Sequence, residues 1–145
     1  MDATEVNTIE EQNKAIVVDL YERIHRGELS AMDGHPGLAE TRVYLPLALA
    51  AFPDLSARTE QVVAEGDRVA IHIWLRGTHL GDLAGIPATG KAVEFQLISI
   101  ERVKEGRIIQ HNSEAGWMHV LMQLGALPAR GETAVTGAIA TPTGR

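Results

Sequence analysis

The apolar residues of this chain change period once, near Leu55, and that change restricts the fold more than any other feature. Before it, Ile16, Leu20 and Ile24, joined by Val17 and Tyr21, recur at helical spacing. They predict a helix from Thr8 to about Arg26, with Thr8-Ile9-Glu10-Glu11 at capping-box spacing and Gly27 as its stop. A second helical stretch, Leu38 to about Phe52, is apolar nearly all round, which predicts heavy burial and a kink or break at Pro46. After Leu55, alternation takes over. Thr59–Ala64 and Arg68–Thr78 read as strands joined by Glu65-Gly66-Asp67, and both faces of the second carry bulky groups. A Gly/Pro-rich connection, Gly77 to Gly90, leads to Ala92–Val103, which turns at Lys104-Glu105-Gly106 and returns as Arg107 to about Glu114. Trp117–Leu124 reads as a short last helix stopped by Gly125, with Pro128 beyond.

Helices followed by an antiparallel meander predict an α+β fold, and a curved sheet wrapped round the N-terminal helices leaves a blind cavity suited to a ligand. A chain of 145 residues fits one domain, placed here at residues 1–130, with the small, polar stretch 131–145 expected to be a disordered tail. A formal charge of -6 argues against nucleic acid as a partner and gives no attraction to an anionic membrane. No apolar run is long enough to span a bilayer, and the acidic start Met1-Asp2-Ala3-Thr4-Glu5 is not that of a signal peptide, so a cytoplasmic protein is expected. The absence of cysteine excludes disulfides, thiolate zinc sites and cysteine nucleophiles. No two histidines stand at i, i+4 with a carboxylate, so no metal site is expected, and the glycines of Gly77 to Gly90 do not lead a strand into a helix as a phosphate cradle would.

Five segments stand in order: Phe52-Pro53-Asp54-Leu55, Glu65-Gly66-Asp67-Arg68-Val69-Ala70, Gly77-Thr78-His79, Gly85-Ile86-Pro87-Ala88-Thr89-Gly90 and Gln123-Leu124-Gly125. Together they resemble the SnoaL-like polyketide cyclases of the nuclear-transport-factor-2-like superfamily, over roughly Leu38 to Pro128. The resemblance implies a cone-shaped barrel, a homodimer through the outer sheet face, a small-molecule polyketide substrate, and no metal or organic cofactor. It also implies ring closure, which the best-known members perform as an aldol condensation with an Asp as general acid/base. That Asp stands five residues after the His of a Glu-His-Trp motif. Here the segment reads Gln110-His111-Asn112, and Gly116 stands where the carboxylate would be. The aldol mechanism therefore does not carry over. The segment before Pro36 is also shorter than usual, which would open or reshape one end of the barrel.

Two residues are candidates for the missing chemistry. If the last strand is regular, Asn112 and Glu114 share a face with Gly116, the face on which the family's Asp would sit. Glu114 could then act as acid/base, against the plainer role of a solvated strand-end carboxylate or helix cap. Asn112 could donate to a substrate carbonyl, or simply to neighbouring backbone. Trp74 would be a flat wall for a polyene if its strand face is internal, and a dimer contact if external, with His72 sharing its fate. Gln96 could orient substrate or meet a partner sheet, while Tyr21 and Tyr44 could offer hydroxyls to the cavity or fill core. His111 is expected to point away from Asn112 toward the partner sheet.

Three functions follow. The first is a cyclase that works mainly by folding its substrate, as in an indane-forming [4+2] closure, which needs no strong base. The second is an acid/base cyclase or epoxide-opening enzyme using Glu114, with His72 or Asp33. The third is a binding protein without turnover.

Overall fold

A computed structural model describes residues 1–128, and the stretch 131–145 lies outside the described residues. The first helix, α1, spans Ala3–His25 and begins earlier than Thr8. Its cap is Asp2, whose carboxylate accepts from the backbone of Thr4 and Glu5, while Glu5 reaches back to the Asp2 amide. Thr8 is inside the helix, its hydroxyl donating to the Thr4 carbonyl at 2.9 Å. Val17, Leu20, Tyr21 and Ile24 form the buried face of α1.

Two 3-10 turns, Leu29–Met32 and Pro36–Leu38, precede the second helix, α2, at Thr41–Ala51. The helix continues through Pro46, and it is not buried all round as its composition suggests. Leu45 and Ala51 are buried, whereas Val43, Tyr44 and Leu47 are 61–65% exposed. One face of α2 packs inward; nothing among the described residues covers the other.

The sheet consists of β1 (Ser56–Glu65), β2 (Arg68–Thr78), β3 (Ala92–Lys104) and β4 (Arg107–Ala115), antiparallel throughout and in sequence order. It curves over α1 but does not close, so the cone expected from the sequence is an open one. The β3–β4 hairpin turns on Glu105 and Gly106, both at positive φ, as a two-residue turn matched to strand twist requires. A short helix, α3 (Trp117–Gln123), follows β4 and packs on β3.

Parity decides what each sheet face carries. Val69, Ile71, Ile73 and Leu75 of β2 are buried against the helices, each contributing about 1.5–3 kcal/mol. On β3 the same face carries Val93, Phe95, Leu97, Ser99, Glu101 and Val103. On β4 the face is reset by a bulge. Val103 pairs with Ile108 but Arg102 pairs with Gln110, leaving Ile109 as the extra residue. From there Glu101 faces His111, Ser99 faces Ser113 and Leu97 faces Ala115. Without the bulge Asn112 and Glu114 would take the inner face; with it His111 does.

Candidate active site

Between the inner sheet face, α1, and the chain from Leu38 through α2 lies a cavity of about 860 Å³. Its walls are mainly aliphatic and aromatic, with Leu38, Leu45, Leu75, Phe95, Leu97 and Trp117 prominent. Phe95 links the wall to the core, its ring centroid 5.3 Å from that of Trp117 and 6.4 Å from that of Phe52. Gly37, next to the cavity-lining Leu38, sits directly against β4. A Cβ there would lie 2.7 Å from the Gln110 nitrogen and 2.8 Å from the Ile109 carbonyl carbon, so only glycine lets the Pro36–Leu38 turn press against the β4 backbone.

One side of this apolar space is polar. Tyr21 and His111 border the cavity, and behind them lies Glu101, with no solvent exposure. The Tyr21 hydroxyl donates to Glu101 Oε1 at 2.6 Å, Ser99 Oγ donates to the same oxygen at 2.5 Å, and His111 Nδ1 meets it at 2.7 Å. Three donors on one oxygen suit a carboxylate acceptor and place the imidazole proton on Nδ1. Oε2 is buried and meets no hydrogen-bond partner among the described residues. Burial, chiefly, together with the neighbouring Glu101 charge, pushes the Tyr21 hydroxyl well above its ordinary value, so it remains a donor. His25 also borders the cavity, with its ring stacked on Tyr21 and its Nδ1 at 2.7 Å from the Tyr21 carbonyl. Burial holds the His25 pKa below its ordinary value, against the opposing effect of that hydrogen bond.

The six candidate residues fall into three groups. Tyr21 borders the cavity from inside, and Tyr44 borders it from the exposed face of α2. Asn112 and Glu114 also border it, but as exposed residues on the strand face shared with Ile100 and Ile98, which places them at its rim. Trp74 and Gln96 do not line it. They are cross-strand neighbours on the opposite face of the sheet, where Gln96 Oε1 meets His72 Nε2 at 2.7 Å and the rings of His72 and Trp74 lie 6.2 Å apart. The reason is the burial of Val69, Ile71, Ile73 and Leu75, which assigns the inner face of β2 to the other set.

His111 reverses its expected direction, because the Ile109 bulge turns it inward. Glu101 escaped the sequence reading altogether, although a signal was there: it continues the alternation of Val93, Phe95 and Leu97 into Ser99, Glu101 and Val103. Among the described residues, no group of three His, Asp or Glu side chains is arranged to hold a metal ion, and no helix is long and apolar enough to cross a membrane.

Comparison with known proteins gives a consistent result. Residues 6–124 match the family described as SnoaL-like polyketide cyclase. Aklanonic acid methyl ester cyclase DnrD of Streptomyces peucetius is 32% identical over 71 residues, covering 48% of this chain and 49% of that protein. The match thus spans about half the length of that curated relative. Among solved structures, AclR from Streptomyces galilaeus, a proposed hydroxylase, superposes with a TM-score of 0.77 at 26% identity, covering 89% of this chain and 90% of its own. IdmH from Streptomyces antibioticus, a proposed polyketide cyclase, gives a TM-score of 0.67 at 28% identity, covering 79% of this chain and 99% of its own.

Proposed function

For a chain that belongs to the SnoaL-like polyketide cyclase family, we propose that the activity is closure of a ring in a mainly apolar polyketide, folded within the cavity between sheet and helices. The observation that carries this reading is the cavity itself: about 860 Å³, with walls that are mainly aliphatic and aromatic. A flexible chain held there in a near-attack conformer has part of the entropy of ring closure removed in advance. In good intramolecular cases this lowers the barrier by about 7 kcal/mol or more. The finer form of the reading is an indane-forming [4+2] closure, in which a donor such as Tyr44 or Asn112 polarises a conjugated carbonyl. The name of DnrD supports ring closure as the reaction class, while that of AclR shows that other chemistry is ascribed to the fold. The outer sheet face, with Val63, Ile98 and Ile100 about half exposed (the two isoleucines also bordering the cavity rim), supports a homodimer.

A second reading, acid/base closure, is favoured by one observation, the buried carboxylate behind His111 and Tyr21. Glu114 suits that role less, because it stands exposed at the rim.

The test is incubation with a linear polyene bearing a conjugated carbonyl, followed by chromatography and mass spectrometry. Ring closure gives a product of equal mass and changed retention, and Leu97→Trp, which fills the cavity, abolishes it. Recovery of unchanged polyene at the rate seen in buffer would instead identify a binding protein without turnover.

A further inference from the structure

We propose that His111 is the proton-transfer residue of this cavity and Glu101 its positioning residue, with Tyr21 and Ser99 holding the carboxylate in place. The inference rests on the second reading above, acid/base closure of a polyketide in this cavity, and assigns its proton transfer to named residues. His111 keeps 14% side-chain exposure and borders the cavity, and its Nδ1 is engaged by Glu101. Nε2 has no hydrogen-bond partner among the described residues and is not one of the buried unpartnered atoms. The accessible nitrogen is therefore the one that carries a lone pair.

The competing imidazole is His25, whose Nδ1 is likewise engaged. Its partner is a neutral carbonyl, whereas that of His111 is a carboxylate, which stabilises the imidazolium formed when Nε2 takes a proton. Ser99 and Tyr21 approach the carboxylate from β3 and α1, so Glu101 cannot turn away from the ring. Other titratable groups near the cluster include Tyr21 and His25 from α1, His35, whose Nδ1 accepts from the Ile108 amide, Arg42 and Arg107 beside His35, and Glu40 and Glu114 on the cavity wall.

The step balances within the substrate. His111 Nε2 removes a proton from a carbon flanked by two carbonyls, and the C–H electron pair becomes the enolate. The enolate carbon then bonds to a second carbonyl carbon of the same chain, whose π pair moves onto its oxygen. The imidazolium returns the proton to that oxygen, so the product is an isomer of the substrate and no co-reactant is needed.

The experiment follows α-proton exchange, which requires no ring closure. Ethyl 2-methylacetoacetate is incubated in D₂O with the full chain, and loss of its C2 proton signal is followed by NMR. The wild type should exceed buffer, and His111→Gln should lower the enzymic rate about 100-fold or more. Glu101→Gln should lower it on the order of tenfold or more, because an amide NH₂ turned toward Nδ1 selects the wrong tautomer. If either variant fails to fold, ¹⁵N shifts of the wild-type imidazole decide: Nδ1 protonated and Nε2 bare supports the proposal, and the reverse overturns it. Exchange no faster than buffer, or undiminished in folded His111→Gln, also overturns it. The two readings fail separately: a polyene that still closes in folded His111→Gln at the wild-type rate sinks proton transfer and leaves substrate folding intact.

Discussion

Removing the Tyr21 hydroxyl measures how strongly the polar cluster is built. The bond it donates to Glu101 is 2.6 Å long and lies between two buried side chains. A hydrogen bond to a charged group contributes about 1.5–3 kcal/mol net. Ser99 and His111 remain on the same oxygen in Tyr21→Phe, so the carboxylate is not stranded and the lower part of that range, about 1.5–2 kcal/mol, is expected. Glu101→Leu removes the acceptor and strands the Tyr21 and His111 donors, while Ser99 Oγ keeps the Asn112 carbonyl at 3.2 Å, at about 3–5 kcal/mol. In that background the tyrosine hydroxyl is itself a buried orphan, so adding Tyr21→Phe should cost nothing. The assay is urea unfolding at neutral pH. With a slope of about 1–3 kcal/mol per molar urea, Tyr21→Phe alone should lower the midpoint by roughly 0.5–2 M. The coupling between the two sites should be about 1.5 kcal/mol or more. Equal effects of Tyr21→Phe in both backgrounds would refute the cluster as described.

Gly37→Ala should cost about 1–3 kcal/mol, since its Cβ meets the β4 backbone at 2.7 and 2.8 Å and neither strand nor turn can yield cheaply; an unchanged thermal midpoint would contradict this. His25 titrates below its ordinary 6.5 in the folded chain, chiefly through burial, so the unfolded chain takes up the proton first as pH falls. Stability should therefore drop as pH is lowered from 6.5 toward the folded value, and His25→Leu should make that part of the urea-midpoint profile shallower, His35, likewise lowered chiefly by burial, accounting for the remainder. A wild-type profile already flat there would contradict the assignment. Gly116→Asp restores a carboxylate at the family's position and should fold normally. A Cβ there meets His119 Nδ1 at 3.3 Å, φ is -74°, and α3 has no side-chain cap, so a gain of a few tenths of a kcal/mol (~0.3) is expected. A loss above about 1 kcal/mol in thermal or urea unfolding would show that the site is tighter than the geometry indicates.

The elements were legible because they rest on local chemistry. The helical spacing of Ile16, Leu20 and Ile24, the alternation of β2 and β3, and the Gly66 and Gly106 turns all act within a few residues. The start of α1 differs from the sequence expectation because Asp2 and Glu5 offer the same capping signal as Thr8 and Glu11, nearly two turns earlier. Strand parity was harder. Both faces of β2 carry bulky groups, so only packing against α1 shows that Ile71 and Ile73 face in and Trp74 faces out. On β4 the decisive residue is Ile109, whose bulge carries no Gly or Pro to announce it, yet exchanges Asn112 and Glu114 for His111 on the inner face. Glu101 was readable from β3 alternation, but its importance is visible only once α1 brings Tyr21 to it across 80 residues of chain.

The central claim, that an apolar chain binds on the inner side of the sheet, can be tested through the two tryptophans. Trp117 borders the cavity, and Trp74 lies on the opposite sheet face. Titrating Trp74→Phe with a linear conjugated polyene should quench the remaining Trp117 emission saturably, while Trp117→Phe should leave Trp74 emission nearly unchanged. Saturable quenching of Trp74 with Trp117 unaffected would place the ligand on the outer face and contradict the account.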